Sequence, residues 1–384
     1  MILQSTYGTL QVPIDEPFMD TFLLTFRAFL TPQEFLEKLM GRYFCILPAD
    51  PSREDVEYFN LVKQPTQIRA LDTLTWWIEY HWHDYTLSSE LKNTLDEFID
   101  NVAQEENPKL KACSTRLLKL INQQTVKYEE MQNYYRIVAR RGKTMESMFM
   151  EINPEELGQQ LCLHNFRLFR NIHAMEVLNQ IWIGKKEETP YLTFFIERFD
   201  KESYWVATEI VSQKDFKKRV QVLKNCVHAT QASVKYNNFF SLFSFMAGLY
   251  LSPVTRLKKT WEALPEPTKK VFADLEKLID PSRNMKNYRD TLTKAVPPIV
   301  PFLPIYLKDL TFMNDGNPKF VDGLVNFDKL RMMGNRVKDI VSLAAVDFTF
   351  SAQPAIQNFI AMPPVETSLA KLKELSLICE KAAS

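Results

Sequence analysis

Three sets of residues in this sequence are of types that do chemistry, and their spacing limits what each could do. Gly142-Lys143-Thr144 carries the lysine and hydroxyl that close a phosphate-binding loop. Ile137 stands where such a loop needs its first glycine, so the backbone cradle for a phosphate is missing. His81 and His83 are one residue apart, which on a helix sends them to different sides, and no cysteine or carboxylate is spaced to complete a metal site. His164, His173 and His228 complete the five histidines, and no Ser/His/Asp set or acidic dyad is recognisable by local spacing. The five cysteines, Cys45, Cys113, Cys162, Cys226 and Cys379, are odd in number and scattered through helical or apolar surroundings, the pattern of reduced thiols in a cytosolic protein. The expectation is a protein with no metal and no cofactor.

The elements that would position any site are helical, and the expected fold is all-α. The 384 residues, 46% hydrophobic and 12% aromatic, suffice for two or three compact units with real cores. Lys+Arg and Asp+Glu balance at 47 each, which argues against a nucleic-acid partner, since phosphate contacts need clustered cations. Only 9 glycines are present and no G-x-G-x-x-G, so a nucleotide-hydrolysing enzyme is disfavoured. The N-terminal residues Met1-Ile2-Leu3-Gln4-Ser5 show no secretory pattern, and no lipidation signal is seen. The longest apolar stretch, Phe239 to Leu251, is 13 residues and too short to span a bilayer. A soluble cytoplasmic protein is expected.

Phe22, Leu23, Phe26, Phe29 and Leu30 recur at helical steps, and a second helix starts at Thr31-Pro32 with Thr31 as cap and Phe35, Leu36, Leu39 and Met40 inward. A proline-bounded loop with a short charged helix is expected between Pro48 and Pro65, followed by a helix carrying Ile68, Leu71, Leu74, Trp77 and Ile78. Helical pattern then runs from Leu91 to Leu120. Residues 121–150 turn polar, with a basic run from Arg136 to Lys143 that reads as a solvated face or as a membrane- or partner-facing patch. This is the expected boundary between an N-terminal unit, 1–121, a linker, 122–150, and a larger unit, 151–384. The larger unit opens with Asn153 as cap, Pro154 at the first helical position and Glu156 placed to return to the cap. Helices follow over Tyr191 to Val211, Phe216 to Tyr236, Phe239 to Leu251 and Pro267 to Ile279. Pro297, Pro298, Pro301 and Pro304 precede a helix of about ten residues, set by the break that prolines impose. The turn Asn314-Asp315-Gly316-Asn317-Pro318 follows. With Asn326 as cap, a long helix then lines up Phe327, Leu330, Met333, Val337, Ile340, Val341 and Ala344, so that the two helices make a hairpin.

Six segments, in order, carry a family resemblance. Phe18-Met19-Asp20-Thr21-Phe22-Leu23-Leu24-Thr25-Phe26-Arg27-Ala28-Phe29, and Gln67-Ile68-Arg69 through Trp82, resemble the Ras-exchanger motif domain. Pro154 to Leu161 with Phe166 to Ile172, Tyr236 to Leu242, and Ser252 to Trp261 resemble words of the catalytic domain of Ras-family guanine-nucleotide exchange factors. The most specific block is Pro301 to Pro318, followed by Gly323-Leu324-Val325-Asn326-Phe327.

This resemblance implies a protein that binds a Ras-subfamily small GTPase, Ras- or Rap-like, and speeds GDP release and GTP loading without covalent chemistry. The hairpin would be the wedge near switch I and the magnesium and phosphate sites, with Thr311 facing the magnesium site and Asp315 directed towards the phosphate-binding loop. Gly316, Asn317 and Pro318 would form the hairpin turn. Asn237, Asn238, Tyr288, Phe302, Leu303 and Tyr306 are the implied GTPase-binding positions; Asn-Asn before an apolar helix is equally an ordinary N-terminal cap. The N-terminal unit would hold the hairpin, and in some relatives it helps form an allosteric GTPase site. Membrane proximity would come from the lipid anchor of the GTPase. Two departures stand out: Asp315 where many members carry glutamate, and Lys329-Leu330-Arg331 where the family usually reads Lys-Arg-Arg. Thr311 hints at a Rap-like or Ras-like substrate. A GTPase-binding adaptor that keeps the fold without exchange activity is the alternative these departures leave open.

Overall fold

A computed structural model describes residues 15–45, 47, 49–139 and 147–381. Gly142-Lys143-Thr144, the first fourteen residues and the end of the basic run lie outside them. Among the described residues there are 19 α-helices and two strands of two residues each, so the chain is all-α. The first helices are α1 (Glu16–Thr25), α2 (Pro32–Phe44), α3 (Arg53–Tyr80), α4 (His83–Leu87), α5 (Ser89–Ala103) and α6 (Pro108–Ala139). Next come α7 (Pro154–Arg170), α8 (Ala174–Trp182), α9 (Pro190–Val211), α10 (Phe216–Lys235), α11 (Phe239–Tyr250), α12 (Ser252–Thr255), α13 (Lys258–Glu262), α14 (Glu266–Leu278) and α15 (Ser282–Leu292). The last are α16 (Leu303–Asp315), α17 (Phe327–Ser342), α18 (Pro354–Ala361) and α19 (Leu369–Cys379), with β1 (Phe320–Val321) and β2 (Leu324–Val325) between α16 and α17.

These elements divide into two compact units. The smaller holds the described residues up to Tyr135 together with Leu178–Gly184 and Phe312–Arg336. The larger holds Arg136–Val177, Lys185–Thr311 and the chain from Val337 on.

In the smaller unit the aromatic spacing seen in the sequence becomes a packed core. Phe26, Phe35 and Trp77 meet with ring centroids 4.7–5.7 Å apart, in tilted and edge-on pairings that suit their quadrupoles. The Trp77 indole N–H donates to Asp84 at 2.6 Å, and the same carboxylate takes the Arg27 Nε–H at 2.7 Å. That buried ion pair is tolerable because the tryptophan and the guanidinium share its oxygens. Thr31 caps α2 in a reciprocal box, accepting from the Glu34 N–H while the Glu34 carboxylate accepts from its own.

One expectation fails here: α3 does not break at Pro65 but runs unbroken from Arg53. A second capping box, Ser52 with Asp55, starts the helix in a mainly exposed half that carries no apolar periodicity, and burial begins only at Thr66. The helix thus begins at its cap and carries Pro65 in its interior.

The larger unit is built on α9, α10, α11 and α7, which pack on one another. Gly248 permits the closest approach, since a Cβ there would lie 2.4 Å from the Ser203 carbonyl oxygen of α9. The expected helices over 190–278 appear within a residue or two of their sequence boundaries. Inside the unit, the buried Glu202 carboxylate accepts from Arg198 at 3.1 Å and from Ser244 at 2.7 Å, and Asn165 donates to Ser241 at 2.8 Å. At the start of α7, Asn153 accepts from the Glu155 N–H, as a cap should, but Glu156 takes the Gln353 side-chain amide instead of returning to the cap. Val341, expected on the inner side of α17, is 46% exposed in the last turn of the helix, while its neighbour Ile340 is buried.

Candidate functional site

Four of the implied GTPase-binding positions, Asn237, Asn238, Tyr288 and Phe302, converge in the larger unit on the extended segment that leads into α16. Asn237 adopts a left-handed backbone, φ 59°, which asparagine tolerates, and its carbonyl accepts from the Val300 N–H at 3.0 Å while its side-chain amide reaches the Val296 carbonyl. The Val300 carbonyl in turn accepts from the Phe239 N–H at 2.9 Å. Asn238 is fully buried and caps α11, accepting from the Ser241 N–H at 3.0 Å. Of its two readings, the geometry supplies the cap; any effect of Asn238 on a partner runs through the backbone it fixes. Tyr288 is buried edge-on between Phe239 and Phe243, and its hydroxyl accepts from the Phe302 N–H at 3.0 Å. Burial pushes the Tyr288 phenol above its ordinary pKa. Phe302 stacks on Phe243 at 3.9 Å and stays half-buried. Leu303 and Tyr306 begin α16 on its buried side.

Sequence reasoning missed the lock on this base. Arg289 makes a two-pronged ion pair with Asp309, 2.8 and 2.9 Å, joining α15 to α16. Inside the span of α15 the backbone is kinked: Arg283-Asn284-Met285 is left-handed at all three residues, and the Asn284 carbonyl accepts from Arg289 Nε at 3.0 Å. Each such non-glycine residue costs roughly 1–2 kcal/mol, so the turn exists only because its surroundings over-determine it.

Thr311 is exposed, and its hydroxyl returns to the Leu307 carbonyl at 2.9 Å. In the smaller unit, Asp315 is exposed at the last residue of α16, with the Asn314 side-chain amide 3.2 Å away. The Gly316 N–H closes on the Phe312 carbonyl at 2.9 Å, and the Asn317 amide closes on that of Met313 at 2.9 Å, which ends the helix. Between Pro318 and Asn326 the chain makes a ribbon absent from the sequence reading. Phe320 pairs with Val325 and Val321 with Leu324, joined by Asp322-Gly323 at φ 50° and 75°, the signature of a two-residue hairpin turn. Phe312, Phe320, Val321 and Leu324 are all exposed, Leu324 by 74%.

The altered run at the start of α17 has a local meaning. Asn326 caps the helix by accepting from the Lys329 N–H at 3.1 Å, and its side-chain amide holds the Pro318 carbonyl. Lys329 turns inward, and its ammonium donates to the carbonyls of Asn314 and Asn317, both at 2.7 Å. Burial lowers its pKa, against a smaller raising effect from Asp315. Leu330 is buried, so an apolar residue suits that position, while Arg331 stays outside with Asp328 at 2.9 Å. The N-terminal helices reach the start of α17: Phe18 and Phe327 lie 5.1 Å apart, and a Cβ at Gly334 would sit 3.6 Å from Thr25. A cavity of about 440 Å³ is bordered by Phe29, Trp182, Asn314, Lys319 and Lys329.

Among the described residues no group of three His, Cys, Asp or Glu side chains could hold a metal ion, and no helix is long and apolar enough to cross a membrane.

Against known proteins, the RasGEF domain family matches residues 156–331, and the RasGEF N-terminal motif matches residues 5–100. The chain is 30% identical over 371 residues to Ras guanine nucleotide exchange factor R of Dictyostelium discoideum, covering 94% of this chain and 21% of that protein. It is 30% identical over 366 residues to Ras guanine nucleotide exchange factor A of the same organism, covering 90% and 58%. To Rap guanine nucleotide exchange factor 6 of Homo sapiens it is 35% identical over 208 residues, covering 53% and 13%. The chain thus spans between 13% and 58% of the length of these relatives.

Proposed function

The chain carries the RasGEF domain and the RasGEF N-terminal motif and belongs to that family, and on this premise we propose that it is a guanine-nucleotide exchange factor for a Ras-subfamily small GTPase, Ras- or Rap-like. In this reading residues 1–121 act as the Ras-exchanger motif domain, 122–150 as a linker and 151–384 as the catalytic domain. A small GTPase holds its nucleotide at about picomolar affinity, near −16 kcal/mol, so unaided release is slow. An exchange factor needs only to bind the nucleotide-free form better than the loaded form, because that difference alone shifts the equilibrium.

The observation that carries the reading is the exposed Asp315 at the end of a helix whose base is locked. A carboxylate presented there can take the donors that hold the phosphates and repel the phosphates themselves. Thr311, exposed on the preceding turn, faces the magnesium site in this reading. Asn237 and Phe302 border the partner, with Asn238, Tyr288, Leu303 and Tyr306 fixing the segment from within. Membrane proximity is inherited from a lipid-anchored GTPase.

Release of a fluorescent nucleotide from a panel of Ras, Rap and Ral proteins tests this. The wild-type chain is expected to accelerate release from at least one of them. Asp315→Asn is expected to lower the maximal rate about ten- to a hundredfold, the worth of one charge-assisted hydrogen bond. Binding without acceleration from any GTPase would replace exchange with the adaptor role.

A further inference from the structure

We infer that Lys329 is the positioning residue that presents Asp315, an assignment that rests on reading the end of α16 as the exchange element. Its ammonium donates to the Asn314 and Asn317 carbonyls, and these two groups bracket Asp315-Gly316 in the chain. One buried cation therefore fixes the backbone on both sides of the carboxylate while the carboxylate itself stays outside.

Two physical reasons make the cation necessary. The last four carbonyls of a helix have no partner within it, and Asn314 is one of them in α16. The Lys329 ammonium satisfies that group and adds the turn carbonyl of Asn317. A helix C-terminus also carries partial negative charge, which disfavours an acidic side chain there. Asp315 sits in that unfavourable place, and Lys329 is the compensating charge; the exposed Lys319 is a second cation close enough to influence Lys329. The attachment of Lys329 itself is secure, since Asn326 caps its backbone and ties Pro318 to the same point.

The geometry also separates positioning from folding. Leu330 and Met333 anchor α17 by burial whether or not the ammonium is present. Loss of the ammonium thus frees the turn while leaving the helix seated. A conservative arginine keeps the charge and several donors in reach of the same carbonyls.

The test compares wild-type protein with Lys329→Met and Lys329→Arg in two measurements. In nucleotide release, Lys329→Met is expected to lower the maximal rate about tenfold or more, the scale of a hydrogen bond to a charged group, with the half-saturating GTPase concentration nearly unchanged and with partial rescue by Lys329→Arg. In amide hydrogen exchange of the free protein, the backbone amides of Asp315 and Gly316 are expected to lose protection in Lys329→Met at an unchanged melting temperature. Unchanged protection at those amides overturns the assignment, whatever the rates show. A rate loss that appears only as a raised half-saturating concentration overturns it as well. Wild-type protein that accelerates release from no GTPase overturns the exchange reading instead, and the hydrogen-exchange measurement still decides whether Lys329 sets the turn.

Discussion

The two ends of α16 are held by different physics. From Leu303 to Leu310 the helix is fixed by burial, with Leu303, Tyr306 and Leu310 all buried and the Arg289–Asp309 pair fastening the outer side. From Phe312 onward the side chains are mostly exposed, and the conformation rests on polar staples: Gly316 to Phe312, Asn317 to Met313, Asn326 to Pro318, and Lys329 to two carbonyls. An end whose side chains stay exposed cannot be fixed by burying itself. Shape without burial has to come from hydrogen bonds aimed at the backbone, and the second end is built that way.

The contrast has its largest consequence at Leu310, which is fully buried. Leu310→Ala removes apolar contacts and leaves a cavity, so unfolding in urea is expected to lose about 2–5 kcal/mol. A loss well below about 1 kcal/mol would mean that the site collapses freely and that the base is not held by packing. The ion pair comes next. Arg289 and Asp309 are less than a third exposed and meet in two-pronged geometry, and a double-mutant cycle with Arg289→Ala and Asp309→Ala is expected to give a coupling of about 1 kcal/mol. A coupling indistinguishable from zero would leave the base to its apolar contacts alone.

The sequence showed the base far better than the end. Helices such as α9 and α11 were legible because inward residues repeat at the helical period and their boundaries carry prolines and caps. The aromatic core around Trp77 was legible for the same reason. Arg289–Asp309 was not, since its members lie twenty residues apart and no periodicity links them. The ribbon escaped because two-residue strands are too short to alternate, although Asp322-Gly323 is a hairpin turn by type. Lys329 escaped because a lysine in a charged run reads as surface; its burial follows from carbonyls that only the folded turn gathers. Asn238 was visible as either cap or contact, and only its burial separates the two.

At the ribbon the comparison predicts almost no effect on stability. Leu324 is the most exposed of its apolar residues, and its backbone pairing with Val321 does not depend on the side chain. Leu324→Ser removes little buried surface, opens no cavity and leaves no polar group unsatisfied, so the urea midpoint is expected to stay within the equivalent of about 0.5 kcal/mol of wild type. The same variant is expected to weaken binding of a GTPase that covers this apolar end, since burying a leucine side chain contributes about 1.5–3 kcal/mol. Stability and binding should therefore separate at Leu324, whereas Leu310→Ala loses stability first. A destabilisation of Leu324→Ser beyond about 2 kcal/mol would place the ribbon among the elements held by packing and remove the distinction between the two ends of α16.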